Sequence, residues 1–227
     1  MRAFVLAGGA STRMGSDKAR LPSGPAFDRP HAAALAEVLE AAGCTATLVR
    51  RGPADGLPWI RSDGRPIPVI RESADGRRHP LNGVVSALEA AAGPALIVPC
   101  DVVGLTIEMV QVLAREPGVA VVQGRLHPLV AHLPAPLLGV ARALAAEGRP
   151  ARELVDDLPQ IPLDGLVDRN TSTGPWPLER LLARLSWMSV AQRERVARSE
   201  SFRQRARGVV DPSANRYTRE PQRREHG

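Results

Sequence analysis

The sequence has 227 residues, 44% of them hydrophobic and 24% charged, with a formal net charge of +6. That length and balance fit one sizeable globular core with an appendage and exclude a wholly disordered chain. Aromatic residues make up 3%, and no apolar run approaches the thickness of a bilayer. Neither base-stacking platforms for nucleic acid nor a membrane span are therefore expected.

Ala3 to Ala7 reads as a buried first strand. It stops at Gly8 and Gly9, and a polar loop follows with Ser11, Arg13, Gly15 and Lys18. Glycines let the backbone turn sharply and let a ligand approach without meeting a Cβ. Successive free N–H groups in such a turn make a concave anion site, to which Arg13 and Lys18 add charge. Lys18 is the only lysine in the chain. A composition that uses arginine almost everywhere keeps one compact point charge inside the glycine loop, as a tight phosphate pocket requires. The spacing is not that of a Walker loop, because Ser16 and Asp17 separate Gly15 from Lys18. Adjacent Gly8 and Gly9 also break the dinucleotide pattern.

Downstream, Leu21 to Pro25 is turn-rich. His31 to Ala42 is predicted helical, with Leu35, Val38 and Leu39 on one face and Gly43 as its stop. A strand is expected at Thr45 to Val49, then a surface connection from Arg50 to Pro66 and a short strand at Ile67 to Ile70. A loop from Arg71 to Pro80 precedes a helix over Leu81 to Ala90, marked by Val84, Val85 and Leu88. Ala95 to Val98 is the clearest buried strand and leads to Asp101. Further along, Thr106 to Arg115 reads as helix, Val119 to Val122 and His127 to Leu133 as strands, and Pro136 to Glu147 as a helix ending at Gly148. Ala151 to Leu158 is expected to be a short helix, and Leu178 to Leu185 a closing one.

Apolar strands without a polar face, alternating with helices, predict an α/β sandwich whose mostly parallel sheet carries helices on both faces. Ligands bind such sheets beyond the carboxyl ends of the strands, where the glycine loop and Asp101 can meet. The core domain is expected over 1–188. The stretch 189–227, rich in arginine, is expected to be a basic, partly helical or disordered tail. Cys44 and Cys100 make no disulfide framework and no signal-peptide plan is evident, so a cytoplasmic setting is expected.

Asp101 offers hard oxygen ligands, which suits Mg²⁺ shared with nucleotide phosphates. Asp168 is a second candidate for the metal, or else part of a turn. His127 and Pro128 are candidates for substrate contact. Together these parts imply transfer from a nucleoside triphosphate. A phosphate monoester acceptor would need no general base, since its second pKa is about 6. Arg13 and Lys18 would neutralise charge, and the backbone from Ala7 to Gly9 would hold the nucleotide.

The stretch from Leu6 to Ala19, with Pro80-Leu-Asn-Gly-Val-Val85 and Val98-Pro-Cys-Asp101, resembles the molybdenum cofactor guanylyltransferases. These are nucleoside-triphosphate transferases with a Rossmann-like, three-layer fold. His127-Pro-Leu-Val-Ala131, Leu144-Ala-Ala-Glu-Gly148 and Asp168-Arg-Asn-Thr171 are similar to the same branch. The likeness covers 1–185. It implies GTP and Mo-molybdopterin as substrates, Mg²⁺ as cofactor, and molybdopterin guanine dinucleotide and pyrophosphate as products. By position, Leu6, Ala7, Gly8, Gly9, Arg13 and Lys18, with Ser11 and Gly15 of the same loop, would bind the triphosphate, and Asp101 would meet it through the metal. Asn170 and Thr171 would lie near the pterin.

The family commonly carries Asn after its second strand, where Arg50 and Arg51 stand here, and Asp after its third, where Glu72 stands. Arg51 and Glu72 would therefore contact the base, and CTP remains open beside GTP. Transfer to a different phosphorylated acceptor is also compatible with these residues, as is a non-catalytic protein that binds nucleotide or finished cofactor. A molybdoenzyme or its chaperone is a candidate partner.

Overall fold

Strand β1 (Arg2–Leu6) lies inside the sheet because Ala3, Phe4 and Val5 are apolar on both faces, and all three are completely buried. The computed structural model describes residues 1–8, 19, 22–24, 27–51, 58–72, 79–163 and 165–168. All of them fall within a compact unit, Met1–Gly174; the rest of the chain, Pro175–Gly227, forms a second unit outside the described residues. The expected boundary at 188, the helix expected at 178–185 and the basic tail expected over 189–227 therefore lie outside them.

After β1 come the hairpin strands β2 (Pro22–Gly24) and β3 (Phe27–Pro30), then helix α1 (His31–Ala41), β4 (Thr45–Arg50) and β5 (Val69–Arg71). Helix α2 (Pro80–Ala91), β6 (Ala95–Pro99), β7 (Val102–Val103) and helix α3 (Ile107–Arg115) follow. Strands β8 (Gly118–Val122) and β9 (Arg125–Leu133) precede helix α4 (Leu137–Glu147), a 3-10 turn at Ala151–Leu154, β10 (Gln160–Pro162) and β11 (Val167–Asp168).

Seven strands form one sheet in the order β10-β8-β9-β6-β1-β4-β5. The β6-β1-β4-β5 half is parallel, and β9 alone runs antiparallel to both its neighbours. Its reversal comes from a two-residue hairpin. Gln123 and Gly124 both have positive φ, 50° and 73°, and Val122 pairs with Arg125. Two left-handed residues match the twist of the flanking strands.

Helices cover both faces. Phe4, Val49, Ile97, Ala131 and Leu133 share a core cluster with Leu81, Val84 and Leu88 of α2 and with Ala141 and Leu144 of α4. Residues one step along each strand point the other way, toward α1 and α3. Burying a side chain such as Phe4 or Leu81 contributes about 1.5–3 kcal/mol. Helix starts follow local chemistry. Thr106 accepts the Met109 N–H at the head of α3, and His79 Nδ1 accepts the Leu81 N–H at the head of α2, with Pro80 at its first position.

Some expectations differ from the structure. The turn-rich stretch Leu21 to Pro25 holds the first strand of the hairpin β2-β3, which runs on to Pro30. The short helix expected at 151–158 shrinks to the 3-10 turn, and an edge strand, β10, pairs parallel to β8. The connection from Arg50 to Pro66 is not wholly superficial. Trp59 is only 4% exposed, and Ile60 bridges Pro66.

Candidate functional site

Parallel pairing of β6, β1, β4 and β5 brings four carboxyl ends to one sheet edge, and those ends carry Asp101, Leu6-Ala7-Gly8, Arg51 and Glu72. The ladder continues beyond the strands and fixes these positions. Ala7 donates its N–H to the Val49 carbonyl at 2.8 Å, Cys100 to Leu6 at 3.0 Å, and Glu72 to Arg50 at 2.7 Å.

Gly8 has a steric reason to be glycine. A Cβ there would stand 2.5 Å from Glu72 Oε2, 3.1 Å from the Arg51 backbone nitrogen and 3.3 Å from Arg51 Cβ. The Glu72 carboxyl therefore closes over the backbone where β1 gives way to the glycine loop. Glu72 is only 9% exposed. Burial pushes its carboxyl above the usual range, because removal from water penalises the charged form, and the Arg51 charge pulls the other way.

Arg50 stacks its guanidinium 5.0 Å from the centre of the Trp59 ring. The arginine stem thus gains a firm apolar support at the end of β4. Local pattern does not reveal this pair; its one signal in the sequence is a tryptophan set in a Gly-, Pro- and Arg-rich stretch.

Helix α2 begins at the same edge, since a Cβ at its Gly83 would approach the Leu6 side chain at 3.3 Å. The first amides of a helix carry partial positive charge and suit an anion.

Beyond Asp101, β7 pairs antiparallel with β11, placing Asp168 opposite Val102. The two candidate metal ligands are thus brought to neighbouring backbone positions, although 67 apart in number (168 − 101). The turn out of this ribbon needs glycine. Gly104 has φ +84°, and a Cβ on it would meet the Gly165 carbonyl oxygen at 2.6 Å. His31, at the head of α1, reaches Val102 by donating from Nε2 to its carbonyl at 2.6 Å.

His127 and Pro128 lie in the first half of β9, which runs antiparallel to β6 and so starts at the edge where β6 ends. The β8 pairing jumps from Val119–Ala131 to Ala120–His127. Pro128, Leu129 and Val130 are thereby extra residues on the β9 side. Such bulges bend a strand and re-aim its side chains. Gly9, Ser11, Arg13, Gly15, Lys18, Asn170 and Thr171 lie outside the described residues.

Among the described residues, no three His, Cys, Asp or Glu gather into a metal cage, and no helix is long and apolar enough to cross a membrane. What the edge offers is two acidic positions beyond β6, a buried carboxyl and an arginine beyond β5 and β4, and a helix N-terminus. That combination suits a polyanion whose own oxygens complete a cation's coordination.

A family model described as the MobA-like NTP transferase domain matches residues 3–161. Relatives from Mycobacterium tuberculosis (strain H37Rv) and Mycobacterium bovis (strain BCG / Pasteur 1173P2), each named a probable molybdenum cofactor guanylyltransferase, are 35% identical over 115 residues. The match takes in 49% of this chain and 53% of theirs, so the chain spans about half the length of the curated relatives it matches. Among solved structures, the molybdopterin-guanine dinucleotide biosynthesis protein A of Archaeoglobus fulgidus is similar at a TM-score of 0.56 and 15% identity, covering 86% of this chain and 96% of that one. Rv0371c of Mycobacterium tuberculosis H37Rv is similar at 0.54 and 19%, covering 74% and 90%. At these identities the structural likeness is one of fold.

Proposed function

The chain belongs to the family of MobA-like NTP transferase domains, and on that premise we propose that it is a molybdenum cofactor guanylyltransferase. It would transfer GMP from GTP to Mo-molybdopterin, giving molybdopterin guanine dinucleotide and pyrophosphate. The observation that supports this most is that Asp101, Gly8, Arg51 and Glu72 follow the carboxyl ends of four adjacent parallel strands, with Glu72 and Arg51 packed against Gly8.

In this reading the triphosphate lies along the loop that leaves β1. Lys18 and Arg13 neutralise its charge, and the backbone at Ala7 and Gly8, the rest of the glycine loop (Gly9, Ser11, Gly15) and the head of α2 hold it. The base lies toward Arg51 and Glu72. The pterin lies toward His127, Pro128, Asn170 and Thr171. The terminal phosphate of the pterin is largely doubly ionised at neutral pH and needs no general base. Its oxygen attacks the α-phosphorus of GTP. A new P–O bond forms, the bond to the β-phosphate oxygen breaks, and the electron pair leaves with pyrophosphate. The protein's work is alignment and charge stabilisation.

Asp101 and Asp168 would hold Mg²⁺. Two carboxylates plus phosphate oxygens are the donor set that this ion takes, and the ribbon sets the two residues at adjacent backbone positions. When bound, the ion supplies Lewis-acid polarisation of the phosphoryl oxygens.

The departures from the family pattern at Arg51 and Glu72 keep CTP as a second reading. An ionised carboxylate accepts from the N1–H and the amino group of guanine. A protonated carboxyl donates once and accepts once, which matches cytosine at N3 and N4. Burial biases Glu72 toward the protonated form and Arg51 toward the ionised one. Pyrophosphate release with GTP against CTP, with and without molybdopterin, tests the proposal. Release that requires both GTP and the pterin is expected. Preference for CTP would move the assignment to a cytidylyltransferase, and no turnover with any triphosphate would leave a binding protein.

A further inference from the structure

We propose that His31 is a positioning residue that fixes Asp101 relative to the glycine loop. The inference rests on the reading of Asp101 as a metal ligand. Asp101 is held through both of its chain neighbours. On one side, the Cys100 N–H donates to the Leu6 carbonyl at 3.0 Å. On the other, the Val102 carbonyl accepts from His31 Nε2 at 2.6 Å.

These two anchors mark the two ends of a single segment. Leu6 is the last residue of β1, where the chain departs into the glycine loop, and His31 opens α1, where the chain returns. The segment between them carries Arg13 and Lys18. One hydrogen bond at each end therefore registers Asp101 against the end of β1 and the head of α1, which bracket the segment holding the cationic residues.

The anchor is needed because its surroundings are slight. Strands β7 and β11 have two residues each, and a pairing that short does not hold its own geometry. His31 is 2% exposed and Val102 likewise 2%, so no water competes for this bond. The donor sits on the first residue of an eleven-residue helix packed on β1 and β4. A rigid element thus supports a two-residue ribbon, and outer groups of this kind decide how well a metal ligand is aimed.

The test uses full-length protein with GTP and Mn²⁺ as the probe. Protein-bound Mn²⁺ is read from the loss of its free electron paramagnetic resonance signal, relative to GTP alone. H31L removes the donor. H31Q places an amide N–H where Nε2 was, and H31N falls short of it. The expected result is Mn²⁺ binding about tenfold weaker in H31L and H31N, with recovery to within about twofold in H31Q. Metal-free GTP affinity should be unchanged, and kcat should fall in H31L while KM for GTP holds. Equal Mn²⁺ affinity in wild type, H31Q and H31N overturns the proposal, and that pair carries the test if H31L does not fold. D101N separates the two layers. If D101N binds Mn²⁺ as wild type does, the assignment of Asp101 fails; if only D101N weakens binding, His31 alone is dismissed.

Discussion

Glu72 lies directly over Gly8, so that a methyl group on that glycine would fall 2.5 Å from the carboxylate oxygen and 3.1 Å from the Arg51 nitrogen. The first obstacle can swing aside; the second is backbone and cannot. Gly8→Ala should therefore cost about 1–3 kcal/mol of stability by overpacking. It should also weaken GTP binding by moving the loop stem. Thermal unfolding and equilibrium titration with GTP check the two effects separately.

Glu72→Gln should raise stability and lower guanine affinity together. The buried carboxyl has its pKa raised in the folded state, so the native protein favours the protonated form. That stabilisation is complete below the ordinary glutamate pKa of about 4.3 and is lost as pH rises through the folded value. A glutamine never ionises. The variant should melt above wild type at pH 8, and the gap should close toward pH 4. If Glu72 receives guanine as a carboxylate, GTP affinity at pH 8 should fall about tenfold or more, the loss of a charged hydrogen bond. Melting curves and GTP titrations across pH provide the check.

Asp101→Asn keeps the shape of the turn and removes the charge. It should lower kcat by about a thousandfold or more, the scale of several kcal/mol of lost charge stabilisation. The melting temperature should move little, because Asp101 is only partly buried. Pyrophosphate release beside a thermal melt reads both.

His132 tests the sheet away from the site. It is 4% exposed, and its Nδ1 donates to the Leu113 carbonyl at 3.2 Å, in the last turn of α3 where helical carbonyls lack partners of their own. His132→Ala should cost about 2–4 kcal/mol, from the cavity and the orphaned carbonyl together. His132→Asn keeps a donor near Nδ1 and should cost less. Urea unfolding with an unchanged m-value would establish both.

The elements legible in the sequence were those whose burial writes a continuous apolar run. Ala95 to Val98 and Ala3 to Val5 are buried throughout, and they marked the centre of the sheet and its parallel character. The stops at Gly43 and Gly148 were also readable, since both have positive φ. What escaped was set by pairing rather than by local pattern. A two-residue ribbon such as β7-β11 has too few residues for a period, and β10 follows a stretch with helical composition. The reversal of β9 hung on Gln123-Gly124, which lacks the asparagine that usually announces such a hairpin. At the site, Asp101 was readable from its place after the buried run Ala95 to Val98, whereas Glu72 and Arg51 could be named only from the resemblance. That the glutamate presses on Gly8, and that His31 reaches Val102, depended on contacts between residues 64 and 71 apart in number (72 − 8 and 102 − 31).

The central claim is that this sheet edge joins a guanine nucleotide to a phosphorylated pterin. Incubation with Mg²⁺, Mo-molybdopterin and GTP labelled at the α-phosphate, followed by mass spectrometry of the product, tests it most directly. The account predicts label in a molybdopterin guanine dinucleotide, and none when Asp101 is asparagine. Label confined to unreacted GTP, or appearing equally without the pterin, would contradict it.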